Sequence, residues 1–234
     1  MAGAIRRGRV ISKKALSPRV TELVLLVEGS EPFRWLAGQH VTLHSDSPGA
    51  EASSFSIAIA PDEGRPNELL LAVSNASELL GQAPLGSDFA VEGPFGALTW
   101  HDAPGALFVG AGTGVAPLRA IIQDVLVTSG RDSTTPLVLV AGHRTASDRL
   151  FYDELAALAR AHERFAYEPV VSQPDPSYAA RRGYVQDHLA EVLARLPAGS
   201  RAYICGSTRM VAACESLLGK LGVPFDRILS EADS

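Results

Sequence analysis

The chain has 234 residues, 46% hydrophobic and 20% charged, with a formal net charge of −5 at pH 7. That balance fits a globular protein with ordinary cores and excludes wholesale attraction to nucleic acid or an anionic membrane. The two cysteines, Cys205 and Cys214, exclude a disulfide framework and a four-thiolate iron–sulfur site within these residues.

The N-terminal half reads as short strands between turn residues. Residues 20–27, 40–44, 55–59 and 68–73 are the clearest strands, punctuated by Gly29, Pro32, Gly38, Pro48-Gly49, Gly64 and Pro66. A short helix is expected near residues 76–82. This pattern suits a small antiparallel barrel. Around Gly93-Pro94-Phe95-Gly96 the pattern changes, which places a domain boundary near residue 100 and divides the chain into 1–100 and 101–234.

Beyond that point strands and helices alternate. Strands are expected at 107–109, 137–141, 165–171 and 202–205, with helices at 116–127, 149–161, 185–193 and 210–221. Such alternation predicts a parallel sheet with helices on both faces, where ligands sit beyond the carboxyl ends of the strands. The run Leu107-Phe108-Val109-Gly110-Ala111-Gly112-Thr113-Gly114-Val115-Ala116-Pro117 is a buried strand, a glycine turn and a helix start. Its glycines let the backbone bend sharply, and unpaired N–H groups at a helix start favour an anion such as a nucleotide pyrophosphate. Val115 stands where G-x-G-x-x-G has its third glycine.

A second nucleotide contact is expected at Gly142-His143-Arg144-Thr145-Ala146-Ser147-Asp148, at the end of the next strand. Arg144 and Arg149 there either pair with a 2′-phosphate, favouring NADPH, or are solvated surface arginines. Other chemistries are not supported, since the phosphate-loop and nucleophile-elbow motifs are absent. His40 and His44 would be about 13 Å apart along a strand, too far to share a metal ion. His101, His143, His162 and His188 read as surface or satisfied side chains, and Asp148, Asp153 and Glu154 as first-turn helix carboxylates. No metal site is expected. The start, Met1-Ala2-Gly3-Ala4-Ile5-Arg6-Arg7, lacks a signal-peptide apolar region and no run can span a bilayer, so a cytoplasmic protein is expected.

Taken together, the two halves resemble the ferredoxin–NADP reductase superfamily, in layout its compact NAD(P)H–flavin reductase branch. The resemblance spans about residues 5–231 and is carried by four segments: Ala37-Gly38-Gln39-His40-Val41, Ser53-Ser54-Phe55-Ser56, Gly110–Pro117 and Tyr203-Ile204-Cys205-Gly206-Ser207-Thr208-Arg209-Met210. It implies a flavin-binding β-barrel followed by a doubly wound NAD(P)-binding α/β domain. The implied activity takes a hydride from NAD(P)H onto FAD, with FMN an alternative, and passes electrons to a small acceptor or a separate redox protein. In the same resemblance Ser56, Cys205 and Glu231 form the hydride-transfer shell. Ser53, Phe55, Ser56 and Ser77 fall on the flavin side. Gly110, Gly112, Thr113, Gly114, Pro117, Arg144, Cys205, Gly206 and Met210 fall on the nucleotide side.

Three departures qualify this. Ser53 stands where the family places an arginine on the flavin phosphate, so a charged bidentate partner is missing. Phe55 keeps an aromatic face without the tyrosine hydroxyl, and Gln173 occupies a position where some NADPH-using relatives carry a basic residue. N–H groups around Asn75-Ala76-Ser77 are expected to compensate in part. A flavin-free binding or regulatory protein on the same scaffold is the alternative reading.

Overall fold

A computed structural model of the chain describes residues 5–45, 51–61, 65–128 and 134–233. Pro48, Gly49 and Gly64 lie outside them. The first six strands are β1 (Arg6–Ser17), β2 (Val20–Val27), β3 (His40–His44), β4 (Ser53–Ser56), β5 (Glu68–Ser74) and β6 (Asp88–Phe95). They pair antiparallel in the order β4-β3-β6-β1-β2-β5. An Ile57–Leu71 bridge and the hydrogen bond from Ala58 N–H to Leu70 O (2.7 Å) bring the chain after β4 back onto β5, closing the barrel. Alternate residues fill its interior, including Leu23, Leu25, Val41, Leu43, Leu69, Leu71 and Val91.

The helix expected at 76–82 is absent. A lone turn forms instead, where Ser77 accepts from Gly81 N–H (2.9 Å) and Leu80 N–H bonds the Ser77 hydroxyl (3.3 Å). A Cβ on Gly81 would lie 2.6 Å from the carbonyl oxygens of Asn75 and Ser77, so this chain path requires glycine.

The second sheet is wholly parallel, in the order β10-β9-β8-β7-β11-β12. Its strands are β7 (Ala106–Ala111), β8 (Leu137–His143), β9 (Phe165–Val171), β10 (Arg181–Arg182), β11 (Arg201–Ser207) and β12 (Ile228–Asp233). The helices are α1 (Val115–Gln123), α2 (Tyr152–Ala161), α3 (Leu189–Leu193) and α4 (Thr208–Lys220). Phe108, Leu137 and Leu139 pack with Leu118, Ile121 and Leu155 on one face, while Leu107, Val109, Val138 and Val140 pack with Leu189, Val192, Val211 and Leu218 on the other. Helix α2 begins later than its pattern predicts because Phe151 adopts φ 53°, a left-handed conformation that interrupts the helix.

The two sheets share a core. Val20, Ala37, Ala58, Ala72 and Leu98 from the barrel side pack with Val115, Leu118 and Ile121 of α1. Arg119 on α1 is buried and donates to Ala58 O and to the Glu154 carboxylate, with its guanidinium 4.5 Å over the Phe151 ring. Trp100, Tyr203 and Phe108 stack behind the linker, and the Tyr203 hydroxyl bonds both His101 N–H (2.9 Å) and His101 O (3.1 Å). Relative orientation is thus set by a shared core and by specific polar ties.

Candidate active site

Gly110, at the end of β7, and Gly112 and Gly114 after it are needed for three different reasons. At Gly112, φ is +57° and an added Cβ would meet nothing within 4 Å. Gly114 instead faces β11, where a Cβ would lie 2.3 Å from Cys205 O. Gly110 faces α1, at 3.0 Å from Leu118 Cδ1. A short 3-10 turn, Gly112–Gly114, then leads into α1, with Thr113 half-buried and Pro117 buried in the first helical turn.

Beyond the carboxyl ends of the parallel strands lies a cleft of about 660 Å³. Gly112, Gly142, Arg144, Gln173, Arg209 and Met210 line it from the α/β side, and Ser17, Arg19 and Val20 from the barrel side. Of the residues expected on the nucleotide side, Gly112, Arg144 and Met210 line this cleft, while Gly110, Thr113, Gly114, Pro117, Cys205 and Gly206 are not among its lining residues. Gly206, in β11, has φ +153°, a backbone conformation that favours glycine, and it packs against Ala111 of β7. Arg144 Nε donates to Gln173 Oε1 (2.8 Å), which holds its guanidinium at the wall. Arg149 is not at this wall. It donates to Ala146 O (2.8 Å) and stacks 3.7 Å from the Tyr152 ring centroid.

Ser56, Cys205 and Glu231 are linked through two strand-register pairs and one side-chain contact between them. In the barrel Ser56 is register partner of His40. In the parallel sheet Cys205 has Gly110 on one side and Glu231 on the other. Glu231 joins the pairs: its Oε1 accepts from Ala97 N–H (3.1 Å) and Leu98 N–H (3.3 Å), and its Oε2 lies 3.5 Å from His40 Nδ1. Terminal fraying is the default for a residue so near the end, but β12 pairing and these contacts hold Glu231 in place. Its carboxylate is aimed at the barrel and linker. Cys205 is only 1% exposed, so its sulfur is packed in the core rather than presented to solvent.

His143 departs from its expected surface or satisfied role. Among the described residues it is 6% exposed at the cleft, with neither ring nitrogen hydrogen-bonded. Burial, aided by the nearby Arg149 charge, pushes its pKa down from 6.5 to about 4. Between those values the unfolded chain binds a proton that the folded chain refuses, so stability falls as pH drops through this window. The expected loss is on the order of 3 kcal/mol. Urea midpoints from pH 7 to 4 measure it, and His143→Leu should remove that part of the slope. An unchanged slope would rule out a buried neutral imidazole.

On the flavin side, Ser53, Phe55 and Ser56 are half-buried along β4, and Phe55 packs one side against the barrel core. The expected compensation from residues 75–77 does not occur. Asn75 N–H donates to Arg19 O (2.8 Å), Ala76 N–H to the Ser74 hydroxyl (3.3 Å) and Ser77 N–H to Ser74 O (2.9 Å). The Ser77 hydroxyl accepts from Leu80 N–H (3.3 Å), which leaves only its own O–H as a donor. Sequence reasoning missed Arg19, His40 and Arg209. Arg209 follows the C-G-S-T run at a strand end and His40 falls in the Gly38-Gln39-His40-Val41 segment, whereas no local pattern marks Arg19.

Comparison with known proteins decides the family. A model of the oxidoreductase NAD-binding domain matches residues 108–216. The chain is 37% identical to ferredoxin–NADP reductase B of Sorangium cellulosum, covering 92% of each chain. The chain belongs to the ferredoxin–NADP reductase superfamily. Its class is therefore flavin-dependent NAD(P)H oxidoreductase, with FAD and NAD(P)H the cofactors typical of the family. This reductase is also 29% identical to the propane 2-monooxygenase reductase component of Mycolicibacterium goodii, over 93% of its own length and 65% of that relative's. It superposes on the Amycolatopsis cytochrome P450 reductase GcoB with a TM-score of 0.85 at 26% identity, covering 98% of this chain and 69% of that one. Its glycine cradle and cleft fit a dinucleotide, and membership favours the reductase reading over a flavin-free binder. No helix among the described residues is long and apolar enough to cross a membrane.

Proposed function

We propose that this reductase uses NADPH, binds FAD and passes electrons to a separate iron–sulfur protein in the cytoplasm. Residues 1–100 serve as the flavin domain and 101–234 as the nucleotide domain. The series Ser56–His40–Glu231–Cys205 carries this reading, because it joins the flavin strand to the nucleotide sheet through two strand-register pairs and one interdomain contact. NADPH is favoured by Arg144, fixed on Gln173 beside two further arginines in the cleft. The acceptor follows from near full-length similarity to a ferredoxin–NADP reductase. Two buried cysteines cannot ligate a cluster in these residues, which requires the one-electron carrier to lie elsewhere.

Bound together, nicotinamide and flavin supply the hydride chemistry. The chain's part is orientation. Ser56 offers a hydroxyl at the barrel edge, Cys205 a small buried wall beside the glycine loop, and Glu231 fixes the spacing of the two units. Ser56→Ala and Cys205→Ala should each slow flavin reduction by NADPH about ten- to a hundred-fold in stopped flow, since small misplacements weaken near-attack geometry. Wild-type rates in both variants would put the site elsewhere.

Flavin retention tests the Ser53 departure. One missing charge-assisted phosphate contact corresponds to about ten- to a hundred-fold in affinity. FAD should leave on extended dialysis, and Ser53→Arg should slow its release. Full occupancy after dialysis, with no gain in Ser53→Arg, would show that other groups hold the phosphates.

A further inference from the structure

The turn between β1 and β2 is more firmly built than a simple hairpin needs. Asn75, at the end of β5, donates from its side chain to Pro18 O (3.2 Å), accepts from the Thr21 hydroxyl (2.8 Å) and gives its backbone N–H to Arg19 O (2.8 Å). Arg19 N–H in turn bonds the buried Ser17 hydroxyl (3.2 Å). The side chain presented by this turn is Arg19, on the barrel wall of the nucleotide cleft.

Across the cleft Arg19 meets Asp148, with Nε 3.5 Å from Oδ1. That contact is loose, and Asp148 is held independently by Thr145 N–H (3.1 Å) and the Thr145 hydroxyl (2.7 Å) at Oδ2. The Arg19 guanidinium makes no closer polar contact among the described residues and is 54% exposed. The cleft lining holds three guanidinium groups, Arg19, Arg144 and Arg209, against the single carboxylate of Asp148. In a chain of net charge −5 this excess is local, and it suits a polyanion.

We propose that Arg19 is a pyrophosphate-binding residue supplied to the nucleotide site by the barrel, exchanging its loose contact with Asp148 for the bound dinucleotide. The proposal rests on the nucleotide reading of the cleft given above. Its choice of phosphate follows from direction. The nicotinamide end must approach the barrel, where the flavin is bound, so a barrel side chain meets the near half of the dinucleotide and not the 2′-phosphate at the far end. Arg144, carried by the α/β sheet and fixed on Gln173, is left for that far phosphate. Binding then ties the two units together through Arg19, while Asn75 keeps the turn in place whether or not nucleotide is bound.

The test is calorimetric titration of the FAD-loaded protein with NADP+ and with NAD+, at low and high salt, for the wild type, Arg19→Gln, Arg19→Lys, Arg144→Gln and Gly112→Ala. Arg19→Gln should weaken both dinucleotides about tenfold, the lower end for a charge-assisted bond at a half-exposed guanidinium, and flatten the salt dependence. Arg19→Lys should recover the salt dependence and part of the affinity. Arg144→Gln should weaken NADP+ alone. Wild-type affinity in Arg19→Gln alongside weakened binding in the Arg144 and Gly112 variants would overturn the Arg19 assignment and leave the nucleotide site standing. A loss confined to NADP+ in Arg19→Gln would overturn the choice of phosphate. A lowered Tm in both Arg19 variants, with salt dependence unchanged, would overturn it in favour of a structural role. If no variant alters binding, the nucleotide lies elsewhere and the proposed function fails with it.

Discussion

Gly114→Ala is expected to abolish NAD(P)H-driven flavin reduction through a single added methyl group. The added Cβ would lie 2.3 Å from Cys205 O, 2.4 Å from Cys205 C and 2.6 Å from Gly206 N. These are backbone atoms of a central strand and cannot rotate away, so α1 and β11 must separate. Overpacking of this kind costs about 1–3 kcal/mol or more, and the shift displaces Cys205 together with its register partner Glu231. Stopped-flow reduction, flavin content and thermal unfolding on one preparation measure it. The comparison is Gly112→Ala, whose Cβ meets no atom within 4 Å and whose φ of +57° costs about 1 kcal/mol. That variant should stay folded and lose nucleotide affinity, because its methyl group enters the cleft. Wild-type reduction by Gly114→Ala would mean that the approach of the glycine turn to Cys205 does not set the site.

Glu154→Ala is expected to lower stability markedly, because it strips a buried guanidinium of its charged partner. Arg119 is 7% exposed at its side chain and depends on Glu154, itself 36% exposed, as its charged partner. Removing the carboxylate leaves a buried guanidinium with the Ala58 carbonyl and the Phe151 ring as its remaining contacts among the described residues. An uncompensated buried charge of this kind costs about 3 kcal/mol. Gln123 Nε2 loses its acceptor in the same step. Urea unfolding should show a lower midpoint, and Arg119→Met combined with Glu154→Leu should recover much of it, since two apolar side chains remove the charge and its partner together. A double variant no more stable than Glu154→Ala alone would show that the loss is one of packing rather than of unpaired charge.

Much of this architecture was legible in the residues because its signals are local. Leu107–Gly114 announces a strand and a sharp turn, and the alternation of apolar segments after residue 106 implies a parallel sheet. Strand β1 was not legible, since Arg6, Arg7, Arg9, Lys13 and Lys14 hide its period. It forms because β2 and β6 pair with it on both sides. Strand β12 was missed for a similar reason, as six residues near a terminus become a strand only when β11 offers its edge. The helix expected at 76–82 failed in the opposite way: Asn75, Ser74 and Ser77 spend their polar groups on turns and on the β1–β2 hairpin.

The sequence by itself determined the order of a barrel and a parallel α/β sheet, the place of the glycine turn, and the absence of any four-thiolate cluster in these residues. These follow from periodicity, from backbone freedom at glycine and from residue identity. Tertiary structure decided which residues meet. It put Glu231 on the Ala97 and Leu98 N–H groups and His40, buried the His143 ring beside the cleft and brought Arg19 across from the barrel. The Glu231 and Arg19 contacts join segments far apart along the chain, where no local pattern announces them. They exist only because the shared core of the two sheets, with Arg119 at its edge, fixes one unit against the other.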